Sequence, residues 1–470
     1  MVRVAAPGRR PTDVVRNPRQ DATSRRSERQ PLAPASGPAE TFGLTTEALT
    51  MSAAITMSAM KKAIKARTGM RPFGKLAPYA AALDTALGLC RPVREAESLP
   101  LGAAAGRVVH DDVRASADVP ATDRAAMDGY AVLAADLADL EDSDSPVELE
   151  VVGRVLAGNL DETALHNGQC WEVATGAQLP RGADAVVPVE QTTSEGGRVV
   201  ILQAVASGVH VSERGEDLRQ GDVIVAAGDV LMPSAAAALA SIGMSAVDVR
   251  RRPEVLLVPT GDELVALDRV LEPGQVYDSN SVALQALLEA NGARVRLTPI
   301  VRDDPAELLD GLGDGEVDLV VTLGGTSVGR HDLVLDVVEQ MGEVLIHGVA
   351  IKPGKPVLVA RVGETPVLGL PGFPTSCLFT GYLFAEPMVR TLAGLPLSHR
   401  RRAEGVLTET VNSPAGKRQF LSVQLRAGKA SPVYRASSTI TSMSRANGWI
   451  EIVEQATEVR AGSRVEVTFF

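Results

Sequence analysis

The sequence contains few aromatic residues, only three cysteines and no long apolar run. Aromatics make up 3% of the 470 residues although 45% are hydrophobic, so we expect cores built from Ala, Val and Leu. Cys90, Cys170 and Cys377 are isolated and lack CxxC spacing. This pattern argues against a disulfide framework or a structural zinc site and favours a reducing, cytoplasmic location. No stretch of eighteen apolar residues occurs, so we expect no membrane span.

Positive charge is also scarce. The 47 basic residues are outnumbered by 58 acidic ones, and the net charge of −11 argues against a nucleic-acid partner. The six histidines show no metal-ligand spacing, and the N-terminus has no apolar core of a signal peptide. A chain of this length is too long for a single core and is predicted to form two to four domains.

Composition and hydrophobic periodicity change several times along the chain. After Pro253, predicted strands and helices alternate, and this order is typical of a parallel sheet with helices on both faces. The fold class is therefore predicted to be α/β combined with β-rich domains. The predicted segments are a disordered Arg- and Pro-rich tail (1–72), a discontinuous linker domain (73–113 and 217–252), a β-rich domain (114–216), an α/β domain (253–398) and a C-terminal β domain (399–470).

Three glycine-rich loops lie within about sixty residues, and each follows an apolar run that resembles a buried strand. They are GGTSVGRHD (324–332), KPGKP (352–356) and GLPGFP (369–374). Glycine lets the backbone approach a ligand closely, and successive backbone N–H groups then surround an anion. Lys352 and Lys355 add positive charge to the second loop. The loops therefore predict a site for phosphate or another oxyanion.

Three carboxylates fall at predicted carboxyl ends of strands. Glu263, Asp303 and Asp332 would meet at one crevice of a parallel sheet, where carboxylates beside a phosphate loop hold Mg²⁺. Each feature alone has a simpler interpretation, because an Asp after a strand is often a helix cap and glycine loops also form plain turns. Their joint placement in one α/β unit favours the site.

Eight motifs occur in the order found in the molybdopterin molybdenumtransferase (MoeA) family, and the resemblance extends from about residue 75 to residue 470. It implies a multidomain protein with a central MogA/MoaB-like three-layer α/β domain, a mostly parallel sheet and a small C-terminal β domain. The motifs are PATDRAAMDGYAV, EVATGAQLPRGADAVVPVE, RGEDLRQGD, PTGDELV, GQVYDSNS, GGTSVGRHDL, AIKPGKPVL and GLPGFPTS.

The resemblance also implies an activity. Members of this family insert molybdate into adenylylated molybdopterin, in the presence of Mg²⁺, and release AMP to form molybdenum cofactor. They are elongated homodimers whose site is completed by the partner subunit. The chain is accordingly predicted to be a transferase with these two substrates and a second copy of itself as partners.

The family motifs assign roles to individual positions. Asp128, Glu263, Asp303 and Asp332 would act in catalysis, and the last three would hold Mg²⁺. Asp217 and Thr175 would support them, and together with Asp128 would reach the crevice of the partner chain. The residues expected to contact pterin, phosphate or molybdate are Gly324, Gly325, Ser327, Gly329, Lys352, Lys355, Pro356, Ser376 and Ser438.

Two positions depart from the family pattern. Phe373 stands where many relatives have Asn, and an arginine of the last domain is replaced near Ser422, with Arg418 as a candidate substitute. Tungstate therefore stays open as an alternative metal. Two further alternatives are a molybdopterin adenylyltransferase, whose glycine loop usually reads GGTG, and a scaffold role that would depend on the tail.

Overall fold

The structure is a computed structural model. Its described residues are 73–138, 140, 146–159, 163–312, 316–325, 333–434 and 436–470. The predicted tail, 1–72, lies outside them. None of the described helices is both long enough and apolar enough to cross a bilayer.

The chain before residue 251 forms two modules. Its elements are helices α1 (Tyr79–Leu89), α2 (Leu101–Ala104) and α3 (Pro233–Ser241), 3₁₀ turns Ala134–Leu137 and Val189–Gln191, and strands β1 (Ala96–Pro100), β2 (Val113–Arg114), β3 (Arg124–Ala125), β4 (Gly129–Val132), β5 (Val147–Val155), β6 (Gln169–Val173), β7 (Ala185–Pro188), β8 (Thr192–Glu195), β9 (Arg198–Ile201), β10 (Val211–Ser212), β11 (Val223–Val225) and β12 (Ala246–Arg250). Strand β1 pairs with β12 and β2 with β11, so two distant segments share one core. Between them lies a six-stranded sheet of order β7-β4-β6-β5-β9-β8.

The next region is an α/β unit. Its elements are strands β13 (Glu254–Pro259), β14 (Leu264–Val265), β15 (Val276–Tyr277), β16 (Arg294–Leu297), β17 (Leu319–Leu323), β18 (Glu343–His347), β19 (Ile351–Lys352), β20 (Leu358–Val362) and β21 (Thr365–Leu370), and helices α4 (Ser279–Ala290), α5 (Pro305–Leu312), α6 (Leu333–Met341), α7 (Pro374–Thr380) and α8 (Glu386–Leu392), the last two joined by a π turn, Gly381–Ala385. The sheet order is β16-β13-β17-β21-β20-β18. Its first four strands are parallel, and the last two pairs are antiparallel.

Helices cover both faces of this sheet. Val255 and Leu257 of β13 belong to one hydrophobic cluster, whereas Leu256 and Val258 belong to another. Successive side chains of a strand point to opposite faces, so an uninterrupted apolar strand requires cover on both sides. Helices α5 and α6 supply one layer. Helices α4, α7 and α8 supply the other, together with α1, which the sequence analysis had placed in the linker domain.

The run DSNSVALQALLEANG predicts a helix with Asp278 or Ser279 as its cap and Gly292 as its stop, and helix α4 agrees with this prediction. The Asp278 carboxylate accepts the backbone N–H of Ser281 at 3.0 Å, which is the arrangement of a helix N-cap. Gly292 has φ of +99° two residues after the helix, in the left-handed region that favours glycine. This cap matters for the site described below, because the first turn of α4 faces it.

The C-terminal region is a small β structure. It contains strands β22 (Arg402–Leu407), β23 (Val411–Asn412), β24 (Arg418–Arg426), β25 (Lys429–Pro432), β26 (Gly448–Ile452), β27 (Glu458–Val459) and β28 (Arg464–Phe469), and helix α9 (Thr441–Arg445). The pairings run β24-β25-β22-β28-β26, and β26 pairs again with β24, which closes the ring. We call this ring of strands the C-terminal barrel.

Strand β19 joins the α/β unit to the barrel. The run EVLIHGVAI was predicted to be one buried strand, but β18 ends at His347 and is only partly buried, because it lies at the sheet edge. The chain then turns, and β19 pairs in parallel with β24, with Lys352 opposite Gln419. The backbone N–H of Arg418 also donates to the Ala350 carbonyl at 2.9 Å. A strand of the α/β unit therefore belongs to the sheet of the barrel.

The largest core also connects these two regions. It was expected to be aliphatic, but it contains a cluster of rings, called here the aromatic cluster: Tyr79, Phe379, Tyr382, Phe384, Phe420, Trp449 and Phe470. The Phe379 and Trp449 rings meet edge to face at 6.2 Å, one from α7 and the other from β26. Few aromatics are present in the chain, yet they concentrate where two regions must pack as one.

We expect Phe379→Ala to lower the free energy of unfolding by about 3–5 kcal/mol, because this fully buried ring would leave a cavity in the aromatic cluster. Phe373→Ala is the matched control six residues away, since Phe373 is 63% exposed and should change the free energy by about 0.5 kcal/mol or less. Urea titration followed by tryptophan fluorescence measures both. Equal losses in the two variants would contradict the assigned core.

Candidate functional site

A crevice of about 820 Å³ lies where the carboxyl ends of β13, β17 and β21 face the C-terminal barrel. It contains nine of the residues predicted for the site: Glu263, Asp303, Gly324, Gly325, Lys352, Lys355, Pro356, Ser376 and Ser438. Three others, Ser327, Gly329 and Asp332, lie outside the described residues. Glu263 and Asp303, two of the three carboxylates predicted to meet at strand ends, both line the crevice.

The strand order arranges the charges along the crevice. Asp303 and Glu263 follow β16 and β13, at one edge of the sheet, and Gly324 and Gly325 follow β17 near its centre. The KPGKP loop precedes β20, on the other side of β21. Neighbouring strands lie about 4.8 Å apart, so on the order of 15 Å separates β13 from β20. The crevice thus has a carboxylate end and a lysine end with glycines between them.

The glycines form a floor that no other residue would fit. Gly324 has φ of +106°, and a Cβ there would stand 2.6 Å from the Thr260 carbonyl oxygen. A Cβ on Gly325 would stand 2.7 Å from the Val334 side chain. Side chains at these positions would strain the backbone and collide with Thr260, just after β13, or with Val334 of α6. The floor therefore exposes backbone instead of side chains to a ligand.

The carboxylate end offers oxygen ligands. Glu263 and Asp303 are both exposed in the crevice, and the backbone N–H of Asp303 donates to Asp262 Oδ1 at 3.2 Å. This hydrogen bond connects the loop after β13 with the loop after β16. Within the described ranges, no cluster of three or more His, Cys, Asp or Glu has metal-site geometry. Two carboxylates still fit Mg²⁺, which commonly takes one or two protein carboxylates and completes its shell with water and substrate phosphate.

The lysine end carries positive charge that no carboxylate of the described residues pairs with. Gly354 has φ of +100°, and a Cβ there would collide with the Thr380 methyl group, so the loop lies tightly on α7. The backbone N–H of Val349 donates to the Lys355 carbonyl at 2.9 Å and closes the base of the loop. Among the described residues, Lys352 and Lys355 form no ion pair. An anion entering here would meet two ammonium groups.

The barrel completes this end of the crevice. Thr375 donates from its backbone N–H to the Ser437 carbonyl at 3.0 Å and from its hydroxyl to the Thr439 carbonyl at 2.8 Å. These two bonds hold the turn with Ser437 and Ser438 against the start of α7, beside Ser376. Hydroxyl groups from two regions are therefore brought to the lysines.

The prediction that Arg418 replaces the missing family arginine is wrong. The guanidinium of Arg418 binds Glu451 at 2.7 Å and Glu454 at 2.9 Å, and it does not line the crevice. Its neighbour Lys417 lines the crevice instead. Adjacent residues of an extended chain point in opposite directions, so the sequence alone does not say which of two neighbouring cations faces a ligand. Ser422 is fully buried and does not line the crevice.

Other crevice residues were missed by the sequence analysis. Asn280, in the first turn of α4, donates from its side-chain amide to the Gly372 carbonyl at 2.8 Å. This bond joins α4 to the GLPGFP loop. The motif GQVYDSNS contained the signal, but only its Asp was interpreted, as a helix cap. Phe373 also lines the crevice and leaves 63% of its surface exposed.

Asp128, Thr175 and Asp217 do not line the crevice of their own chain. All three are exposed. Asp128 and Thr175 lie in the β-rich domain (114–216) and Asp217 directly follows it; this region is called here the β-rich module. Asp128 accepts the Thr175 backbone N–H at 2.6 Å and the Thr175 hydroxyl at 3.0 Å. The backbone bond most strongly, and then the hydroxyl bond, lower the pKa of Asp128. Thr175 thus holds Asp128 as an ionised carboxylate on an exposed surface.

Family models match almost all of the chain after the tail. The MoeA N-terminal region (domain I and II) matches residues 77–243, a probable molybdopterin binding domain matches 257–391, and the MoeA C-terminal region (domain IV) matches 404–470. The chain is 36% identical over 393 residues to molybdopterin molybdenumtransferase 2 of Mycobacterium tuberculosis, covering 80% of this chain and 95% of the relative. It is 39% identical over 308 residues to molybdopterin molybdenumtransferase of a Nostoc species, covering 64% and 70% respectively.

Solved structures agree with these matches. A molybdopterin biosynthesis MoeA protein from Pyrococcus horikoshii superposes with a TM-score of 0.74 at 34% identity, covering 84% of this chain and 99% of that one. A second structure from that organism gives a TM-score of 0.70 at 29% identity. The ordered motifs, the α/β unit with its attached barrel and the extent of these matches confirm the resemblance seen in the sequence. The chain belongs to the molybdopterin molybdenumtransferase (MoeA) family.

Proposed function

We propose that this protein inserts molybdate into adenylylated molybdopterin and releases AMP, forming molybdenum cofactor. The observation that carries the proposal is the crevice itself, which has carboxylates at one end, a floor of backbone and unpaired lysines at the other. Such a site suits a long substrate with a phosphoanhydride and a second, separate oxyanion. The names of the relatives from Mycobacterium and Nostoc support this choice.

The lysine end is the proposed site for molybdate. Lys352 and Lys355 supply charge against a dianion, and the hydroxyls of Ser376 and Ser438 supply directed hydrogen bonds. Lys417 adds a third cation from the barrel. Because these groups are fixed before the ligand arrives, little reorganisation opposes binding. The dithiolene of molybdopterin would then lie between this end and the glycine floor.

The carboxylate end is the proposed site for the phosphoanhydride with Mg²⁺. Glu263 and Asp303 would hold the ion, and Asp332 would join them from the predicted glycine loop. When bound, Mg²⁺ neutralises phosphate oxygens and so stabilises the charge that develops as AMP leaves. The backbone of Gly324 and Gly325 would support the phosphates from beneath.

Two subunits would complete each site. Asp128 and Asp217 do not reach the crevice of their own chain, although both lie in motifs of the family. In a homodimer, the β-rich module of one subunit would cover the crevice of the other. The ionised Asp128, fixed by Thr175, would then face the phosphoanhydride from above.

We expect Lys352→Met to reduce molybdate-dependent AMP release by about 100-fold or more, because it removes a fixed charge from the oxyanion. The assay contains purified protein, adenylylated molybdopterin and Mg²⁺, with molybdate, with tungstate or with neither. Lys429→Met is the matched control, since Lys429 is exposed on β25 of the barrel. AMP release without any oxyanion, or ATP consumption with molybdopterin alone, would contradict the proposal and favour a different step.

We also expect two inactive variants to restore activity when mixed. Asp128→Asn and Lys352→Met subunits, refolded together in equal amounts, would form heterodimers that contain one intact crevice facing one intact Asp128. Random pairing predicts recovery to about a quarter of the unmodified rate.

The control for this mixture is Asp303→Asn with Lys352→Met, because both side chains lie in the same crevice. Every heterodimer of this pair contains two damaged crevices, one from each subunit, so the mixture must stay inactive. Recovery in the control, or none with Asp128→Asn, would overturn the shared site.

A further inference from the structure

Lys355 has an aromatic neighbour that the proposed function does not use. Its ammonium nitrogen lies 4.4 Å from the centroid of the Phe73 ring, within the range of a cation–π contact. Phe73 precedes α1 and is therefore distant in sequence from the crevice. No family motif identified in the sequence includes it.

The structure fixes the Phe73 ring in place. The Ala77 backbone N–H donates to the Gly348 carbonyl at 3.0 Å, and the Ala350 N–H donates to the Ala77 carbonyl at 2.8 Å. The ring also lies 4.9 Å from the His347 ring. A Cβ on Gly348 would stand 2.8 Å from Phe73, so the turn after β18 is shaped to admit the ring. Phe73 is consequently bound to the same segment that leads into the KPGKP loop.

An aromatic face affects a lysine differently from a carboxylate. Its quadrupole attracts the ammonium and restricts where the side chain points, but it carries no net charge. A carboxylate in the same place would cancel the positive charge that an incoming anion requires. The ring thus orders Lys355 while leaving its charge available to a ligand.

We propose that Phe73 is a positioning residue that holds the Lys355 ammonium for an oxyanion bound at the lysine end of the crevice. The inference rests on the proposed function for the identity of the anion, which is molybdate or a phosphate group of the nucleotide. It assigns a role in the site to the segment before α1, which packs against the turn that leads to the lysines.

The test measures anion binding to the intact protein by calorimetry, with molybdate and AMP titrated separately. Phe73→Leu should weaken the binding of one anion by about two- to thirty-fold, whereas Phe73→Tyr, which keeps a ring, should restore it. The anion that responds identifies the ligand of Lys355. Phe469→Leu is the matched control, because Phe469 stacks with Arg401 at 5.0 Å in the barrel, and it should leave both affinities unchanged.

A double-mutant cycle separates positioning from general damage. In the Lys355→Met background, Phe73→Leu should have no further effect on anion affinity, since the group it positions is gone. An equal loss in both backgrounds, or unchanged affinity for both anions in Phe73→Leu, would overturn the inference. Binding is measured without turnover, so the two proposals can fail separately. If the unmodified protein released no AMP while Phe73 and Lys355 remained coupled in anion binding, the proposed function would be contradicted and this inference would stand.

Discussion

The crevice depends on the attachment of the C-terminal barrel to the α/β unit. Two of the contacts in that attachment are β19, which leaves the α/β unit to pair with β24, and the aromatic cluster, in which a ring of α7 packs against Trp449. Together they combine directional backbone hydrogen bonds with a large buried surface. The lysine end is built from both regions, so its geometry requires this union.

Charge separation follows from the order of the strands. The chain has a net charge of −11, and yet two lysines stand without a carboxylate partner among the described residues. Two acidic groups of the crevice, Glu263 and Asp303, follow strands on the far side of β17. An ion pair between either lysine and a carboxylate would have stabilised the folded protein slightly, but it would have cancelled the charge that binds an anion. Ligand binding is thus favoured at the expense of local ion pairs.

Local signals in the sequence predicted much of this arrangement. Asp278 caps α4 as expected, and Glu263, Asp303 and Gly324 lie at strand ends because apolar runs and glycines mark them directly. Contacts between distant segments were not predictable in the same way. The pairing of β19 with β24 and the packing of Phe73 against Lys355 are set by tertiary structure, which composition and periodicity do not encode. The proposal of Arg418 failed for a related reason, because the local orientation of the chain at the start of β24 decides whether Arg418 or Lys417 faces the crevice.

The two kinds of site residue differ in how the fold supports them. Crevice residues are fixed by buried strands and by bonds such as Asn280 to Gly372, so their positions are set within one subunit. Asp128 is instead exposed, and its carboxylate is held by the two bonds from Thr175. A carboxylate held in this way is ionised and has a fixed direction although it is open to solvent. In the proposed homodimer it would need little reorganisation when the phosphoanhydride binds opposite it.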